Sequence, residues 1–138
     1  MSNPSTSIVP LAGRLLISAI FISSGLSKLA GHAAIAGYAA SKGLPATDLA
    51  IWLAAAVEIL GGLSILLGFQ VRIGAWLLFL YLIPVSVVLH NFWALQGMEK
   101  MDNQIHFFKN VAIMGGLLFV ATFGAGAYSI DATRLKKV

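Results

Sequence analysis

Four long apolar blocks restrict the fold of this chain more than any other feature of its sequence. They cover residues 11–29, 49–69, 73–93 and 105–123, each close to the roughly 20 residues that a helix needs to cross a bilayer core. Lipid offers backbone N–H and C=O groups no hydrogen-bond partner, so blocks of this length must be helical, and the sequence lacks the short alternating strands of a membrane barrel. The sequence therefore predicts one all-α domain over residues 1–138, a bundle of four transmembrane helices in a lipid bilayer.

The low charge of the chain excludes the main alternatives. Apolar residues make up 59% of the sequence and charged residues 10%, against roughly a quarter charged in soluble domains, so a soluble fold of this size could not cover its surface. The formal net charge is +4, but the basic residues are scattered between the blocks, which argues against a nucleic-acid partner. The first block is expected to be a retained span rather than a cleaved signal, because no positive charge precedes it and Arg14 interrupts it.

Basic residues near the ends of the blocks predict the orientation of the bundle. Four spans place both termini and the turn at residues 70–72 on one side of the membrane, with residues 30–48 and 94–104 on the other. The termini side carries Arg14, Arg72, Arg134, Lys136 and Lys137, against Lys28, Lys42, Lys100 and Lys109 on the opposite side. The positive-inside rule then predicts a multi-pass inner-membrane protein with both termini in the cytoplasm.

A short internal repeat relates the second block to the fourth. The pairs Gly61-Gly62 and Gly115-Gly116 lie in similar apolar motifs, and both blocks cross the membrane in the same direction. Because glycine pairs let helices pack closely, the similarity is compatible with two parallel helical hairpins related by an axis along the membrane normal. Chance recurrence of small residues is the alternative.

Glu58 is a carboxylate in the middle of the second apolar block. Exposing an ionised carboxylate to lipid is costly, so Glu58 must face protein or water, and its spacing from Gly61 and Gly62 puts it on the close-packing face. Lys109 lies on the corresponding face of the fourth block, and Arg14 can reach towards Glu58 from the first. We therefore predict an ion pair of Glu58 with Lys109 or Arg14, with snorkelling to nearby head groups as the alternative for Arg14.

Arg14 also begins a stripe of polar and small residues in the first block. Ser18, Phe21, Gly25 and Lys28 follow it at spacings of three and four residues, as on one face of a helix. The sequence predicts that this face packs against the bundle.

A further polar group gathers at the ends of the third and fourth blocks, opposite the termini. Its members are His90, Asn91, Gln104, His106, Lys109 and Asn110. With Lys28 they are expected to line a shallow pocket for a polar head group whose apolar tail lies between helices. Ordinary interfacial polarity is the alternative, and it explains Gln104 and His106 better. The candidate ligand-binding residues are therefore Arg14, Lys28, His90, Asn91, Lys109 and Asn110, with Glu58 as a candidate proton relay.

Several kinds of active site are missing from the sequence. It contains no cysteine, so the chain cannot exchange disulfides, hold an iron–sulfur cluster or build a thiolate zinc site. No histidine and carboxylate cluster has the spacing of a metal site, and neither a nucleophile elbow nor a glycine-rich phosphate loop is present. His90 and His106 could be imagined as haem ligands, but nothing else in the sequence supports a haem. No intrinsic cofactor is expected, and a redox role would require another carrier.

The order of these residues resembles that of the DoxX family. The resemblance is carried by Arg14, Gly25, Lys28-Leu29, Glu58, Gly61-Gly62, Gly68, Arg72, Phe108-Lys109-Asn110 and Gly115-Gly116-Leu117. It implies a four-helix membrane protein, and some relatives are subunits of quinone-linked oxidoreductases that pass electrons from sulfur compounds or assemble with redox-protective enzymes. Members of the family differ in activity, so the fold alone does not assign one.

Two functional hypotheses follow. In the first, the chain is a membrane subunit that binds a quinone or a similar amphipathic molecule and serves a partner oxidoreductase. Glu58 would then hold or relay a proton, Lys109 would tune it, and His90 and Asn110 would bond a carbonyl oxygen. In the second, the chain is an assembly factor, a chaperone or a transporter of a small solute, and the same charges only fix helix packing. Both leave open whether the chain is enzymatic and whether it forms homo-oligomers.

Overall fold

The computed structural model describes residues 4–135, with the side chains of residues 8–134. This part of the chain forms α1 (Pro4–Ala30), α2 (His32–Ser41), α3 (Thr47–Leu67), α4 (Val71–Leu89), α5 (Gly97–Phe123) and α6 (Ile130–Leu135). A 3-10 turn at Phe92–Ala94 joins α4 to α5, and the described residues contain no strand. Helices α1, α3, α4 and α5 are long and apolar enough to cross a membrane, which confirms the predicted all-α fold with four spans.

The observed helices differ from the apolar blocks at their ends. Helix α1 begins at Pro4 and α5 begins at Gly97, because intrahelical hydrogen bonds continue through polar residues that hydropathy alone does not include. The third block, residues 73–93, agrees with the apolar span Val71–Ala94, although the α-helix itself ends at Leu89. His90 leaves the helical region of backbone space, with φ −120° and ψ 45°, and the chain then turns towards α5.

Helix α2 fills the connection between the first two spans. Its Ala36 and Ala39 are buried against Ile51 of α3, with Leu89 at the end of α4 packed on the same cluster. The helix therefore covers the bundle on the side opposite the termini.

Glycines let α3 approach both of its main neighbours closely. A Cβ atom on Gly62 would lie 2.8 Å from Ile22 Cγ1 of α1, and one on Gly61 would lie 2.6 Å from Leu78 Cγ of α4. Both distances are too short for real carbon atoms, so residues larger than glycine would push these helices apart. Helix α3 thus packs chiefly on α1 and α4, while α5 packs chiefly on α4.

The second glycine pair has a different environment. A Cβ on Gly115 would meet nothing within 4 Å, and one on Gly116 would approach only Ile17 Cδ1, at 3.2 Å. The two pairs therefore do not make equivalent contacts, and the hairpin repeat stays a prediction from sequence.

The chain after α5 folds back onto the termini side of the bundle. The carboxylate of Asp131 accepts hydrogen bonds from the backbone N–H groups of Gln70 (2.9 Å) and Val71 (3.0 Å), and its own N–H donates to the carbonyl of Gly68 (2.9 Å). Asp131 thereby satisfies N–H groups at the start of α4 that have no partner within the helix. The α3–α4 turn and α6 are fixed to each other by these bonds.

Candidate functional site

Glu58 lies at the centre of a hydrogen-bonded network inside the bundle. Its side chain is only 6% exposed. Lys28 Nζ of α1 lies 2.8 Å from Oε2 and 3.0 Å from Oε1, Ser24 Oγ donates to Oε1 at 3.2 Å, and the Tyr81 hydroxyl of α4 donates to Oε1 at 2.9 Å. The buried carboxylate is thus matched by one cation and two hydroxyl donors. The predicted interior position of Glu58 is confirmed.

The predicted partners of Glu58 are wrong, because its ion pair is with Lys28 rather than with Lys109 or Arg14. Helix α3 packs directly on α1, which carries Lys28, whereas α5 packs chiefly on α4. Lys109 is exposed, and its ammonium lies 2.9 Å from Nδ1 of His106, one turn earlier on the same helix. The position of Lys109 along its span is compatible with an ion pair to Glu58. Helix α5 packs chiefly on α4 rather than on α3, however, so the two side chains are not brought together.

Arg14 forms neither the predicted ion pair with Glu58 nor the alternative contact with lipid head groups. It is 2% exposed, so it does not snorkel to head groups, and it donates to the carbonyls of Ala125 (3.0 Å) and Tyr128 (2.6 Å). These bonds attach the segment after α5 to the first helix. The stripe that Arg14 begins does face the bundle, as predicted, since Ser18, Phe21 and Gly25 are also buried.

A cavity of about 250 Å³ borders the Glu58 network on the side opposite the termini. Its polar lining residues are Ser24, Lys28, Tyr38, Glu58, Tyr81, His90, Lys109 and Asn110, and apolar residues such as Phe21, Leu82 and Ile113 complete the wall. The structure therefore brings Glu58 together with four of the six predicted ligand-binding residues. The other two, Arg14 and Asn91, are not among those that line this cavity.

A second, apolar cavity lies beside the first. It has a volume of about 180 Å³ and is lined mainly by aliphatic residues, including Ile51 and Val88. Lys28, Tyr81 and Leu89 line both cavities. A polar space and an apolar space are thus neighbours in the same half of the bundle.

Asn110 and His90 contribute further polar atoms to the lining of the cavity. The Asn110 amide is buried and donates one hydrogen bond, to Ser86 Oγ at 3.1 Å, which leaves its second N–H for another acceptor. His90 Nδ1 lies 3.2 Å from Asn103 Oδ1, and the amide of Asn103 donates to the carbonyl of Glu99. Because the Asn103 amide nitrogen donates to a carbonyl, its Oδ1 faces His90 and accepts a hydrogen bond from Nδ1. Nε2 of a neutral His90 is then an acceptor.

The two histidines do not form a haem-binding pair. The rings of His90 and His106 are stacked, with their centroids 5.1 Å apart and their planes 21° apart. Two axial ligands must approach an iron from opposite faces of a haem, and this stacking leaves no space for a macrocycle between the rings.

Sequence reasoning missed Ser24, Tyr81 and Ser86. Each had a detectable signal. Tyr81 is a hydroxyl-bearing residue in the middle of a span, away from the interfaces where tyrosine usually lies. Ser24 precedes Lys28 by four residues and so shares its helix face, and Ser86 is the one polar side chain between Tyr81 and His90.

Comparison with known proteins places these features in a family. The sequence model of the DoxX family matches residues 9–91, which include Arg14, Lys28, Glu58 and Tyr81. The inner membrane protein YphA of Escherichia coli strain K12 is 36% identical over 124 residues, covering 90% of this chain and 89% of the relative. The inner membrane protein YqjF of the same organism is 35% identical over 127 residues, covering 92% of each.

A eukaryotic protein shows a more distant similarity. The ER-derived vesicles protein ERV29 of Saccharomyces cerevisiae is 27% identical over 120 residues, which are 87% of this chain but 32% of that protein. No solved structure matches the chain significantly.

Proposed function

This chain belongs to the DoxX family of membrane proteins, and we propose that it is an inner-membrane subunit that binds the head group of a quinone or similar amphipathic molecule for a partner oxidoreductase. The observation that supports the proposal is the cavity beside Glu58. It combines an ion pair, a histidine and an amide inside a bundle whose membrane spans are otherwise largely apolar. Small-molecule sites are commonly lined in this way, with a few polar groups in a mostly apolar wall.

The sizes of the two cavities fit such a molecule. Pockets that enclose a whole drug-sized ligand usually measure about 300 to 1,000 Å³, so a cavity of about 250 Å³ suits a head group rather than a complete lipid. The adjoining apolar cavity provides space for the beginning of a tail. The remainder of a long tail would lie between helices or in lipid.

The residues of the polar cavity have complementary hydrogen-bonding capacities. The second N–H of the Asn110 amide is a donor suited to a carbonyl oxygen, and His90 Nε2 is an acceptor suited to a hydroxyl group. The three N–H groups of Lys28 already donate to Ser24 and Glu58. Reduction of a quinone consumes two electrons and two protons, and in this proposal the partner oxidoreductase supplies the electrons. Glu58 and Tyr81, which share a hydrogen bond, would hold or pass protons at the carbonyl.

A second candidate function, a membrane assembly factor without a ligand, is favoured by the completeness of the Glu58 network. Lys28, Ser24 and Tyr81 already satisfy this carboxylate within the chain. A network that only fixes helix packing needs nothing more. The two candidates differ in whether the cavity binds a ligand.

Binding of a short-tailed quinone analogue and of its reduced quinol form to the purified protein in nanodiscs tests the proposal. Wild type is compared with Asn110→Leu, which removes a donor for the quinone carbonyl, and with His90→Ala, which removes an acceptor for the quinol hydroxyl. Gln104→Ala serves as the matched control because Gln104 is exposed on the same side of the bundle and does not line the cavity. Loss of one hydrogen bond should weaken binding by about tenfold, or roughly 1.4 kcal/mol. Equal affinity in all four proteins, or no binding by wild type, would favour the assembly factor.

A further inference from the structure

Another cavity lies at the opposite end of the bundle, on the termini side. It measures about 450 Å³ and is formed by the α3–α4 turn, the end of α5 and the segment that leads into α6. The membrane-spanning helices begin or end beside it, at Leu67, Val71 and Phe123. This is the depth at which lipid phosphates lie when the four helices cross a bilayer.

Two guanidinium groups share this cavity. Arg72, the second residue of α4, lies beside Gly124, where a Cβ atom would be 3.8 Å from both its Nε and its Nη2. The guanidinium of Arg134 lies over the ring of Phe69, with Cζ 4.8 Å from the ring centroid. Among residues 8–134, neither arginine forms a salt bridge.

The carboxylate in the cavity is already engaged. Each oxygen of Asp131 accepts a backbone hydrogen bond from the start of α4, and Asp131 forms no salt bridge with Arg72 or Arg134. The nearby Arg14 adds a third positive charge to this end of the bundle and is held by carbonyl groups. Positive charge therefore exceeds negative charge around the cavity by three arginines to one aspartate.

From this arrangement we propose that Arg72 and Arg134 bind the phosphate group of an anionic phospholipid. Guanidinium groups bind phosphate through paired hydrogen bonds, and basic pockets at the ends of membrane helices suit anionic head groups. A zwitterionic lipid would bring an ammonium beside two guanidinium groups. Phe119 and Phe123 are 68% and 76% exposed on α5, and their rings continue from the cavity along the membrane-facing surface, where acyl chains can pack.

The test measures lipid binding to the full chain in detergent by native mass spectrometry. Phosphatidylglycerol and phosphatidylcholine with the same acyl chains are compared, and glycerol 3-phosphate represents a soluble phosphate. The variants are the double changes Arg72→Gln with Arg134→Gln and Arg72→Lys with Arg134→Lys. Lys100→Gln is the control, because it removes one exposed charge on the opposite side of the bundle.

Wild type should bind phosphatidylglycerol about tenfold more tightly than phosphatidylcholine, and the double glutamine variant should lose this preference. The double lysine variant should keep a reduced preference for phosphatidylglycerol, since it retains both charges without the paired hydrogen bonds. If the double glutamine variant does not fold, an unchanged preference in the double lysine variant would contradict the proposal. Lys100→Gln should bind like wild type. Equal binding of both lipids by wild type, or an unchanged preference in the folded double glutamine variant, would overturn the proposal. Tighter binding of glycerol 3-phosphate than of phosphatidylglycerol would show that the site binds a soluble phosphate rather than a lipid, and would contradict the proposal.

Discussion

At the scale of single residues, the buried carboxylate of Glu58 is paired with the ammonium of Lys28. The burial follows from the cost of exposing a carboxylate to lipid. The partner depends on which helices touch, and Lys28, Lys109 and Arg14 were all compatible with the register of the spans. Lys28 forms the pair because α1 packs on α3 along Gly25 and Gly62. The sequence alone does not say which helices are in contact, so it does not select the partner of Glu58.

The Lys28–Glu58 pair should be strongly coupled in stability. Lys28→Met leaves a buried carboxylate without its cation, so it should lower the free energy of unfolding by about 3 kcal/mol. In the double variant with Glu58→Gln the loss should be clearly smaller than the sum of the two single losses. Unfolding of the detergent-solubilised protein, followed by circular dichroism, measures all three values. The cycle of Glu58→Gln with Lys109→Met is the control, and a coupling there equal to that of Lys28 would contradict the observed pair.

At the scale of helices, the four spans were predictable because each must be apolar along its whole length. The two short helices, α2 and α6, have no such requirement. Helix α2 is stabilised by burial of Ala36 and Ala39 against α3, and α6 is held through Asp131. Both depend on tertiary contacts, so the hydropathy of the sequence does not predict them.

Close packing of α1 on α3 should depend on Gly25. A Cβ at this position would lie 2.6 Å from Ile59 Cγ1 and 3.1 Å from the carbonyl oxygen of Ala55. Gly25→Ala should therefore lower the free energy of unfolding by about 1 to 3 kcal/mol, the usual cost of overpacking. Gly115→Ala is the matched control, because its Cβ would meet nothing within 4 Å and alanine favours the helix by about 1 kcal/mol. Equal destabilisation by both substitutions would argue against the α1–α3 contact.

The connection between α6 and α4 should depend on the carboxylate of Asp131. Asp131→Ala removes both acceptors from the start of α4 and should lower the free energy of unfolding by about 1 to 2 kcal/mol. Asp131→Asn keeps one acceptor oxygen and should lose less. Protection of the amides of Gln70 and Val71 against hydrogen exchange provides a local measurement. Unchanged protection in Asp131→Ala would show that these amides do not depend on the side chain.

At the scale of the whole molecule, the bundle has two polar ends with different chemistry. The end opposite the termini contains the cavity beside the Glu58 network, and the termini end contains the cavity with Arg72 and Arg134. Sequence reasoning found most residues of the first, because polar groups inside apolar blocks are conspicuous. From sequence, Arg72 and Arg134 indicate only the orientation of the chain in the membrane. The cavity they share forms because the segment after α5 folds back onto the α3–α4 turn, and the sequence does not predict that contact.

The excess of basic residues on the termini side leads us to predict that both termini are cytoplasmic. Because the chain has no cysteine, single cysteines can be introduced and labelled in intact cells with a membrane-impermeant maleimide. Thr133→Cys lies after α5, and Lys100→Cys lies in the first turns of α5; both positions are exposed. Lys100→Cys should be labelled from outside the inner membrane, whereas Thr133→Cys should react only after the cells are opened. The reverse pattern would invert the orientation, with the Glu58 cavity then in the cytoplasmic half. Labelling of both in intact cells would contradict the placement of these two positions on opposite sides of the membrane.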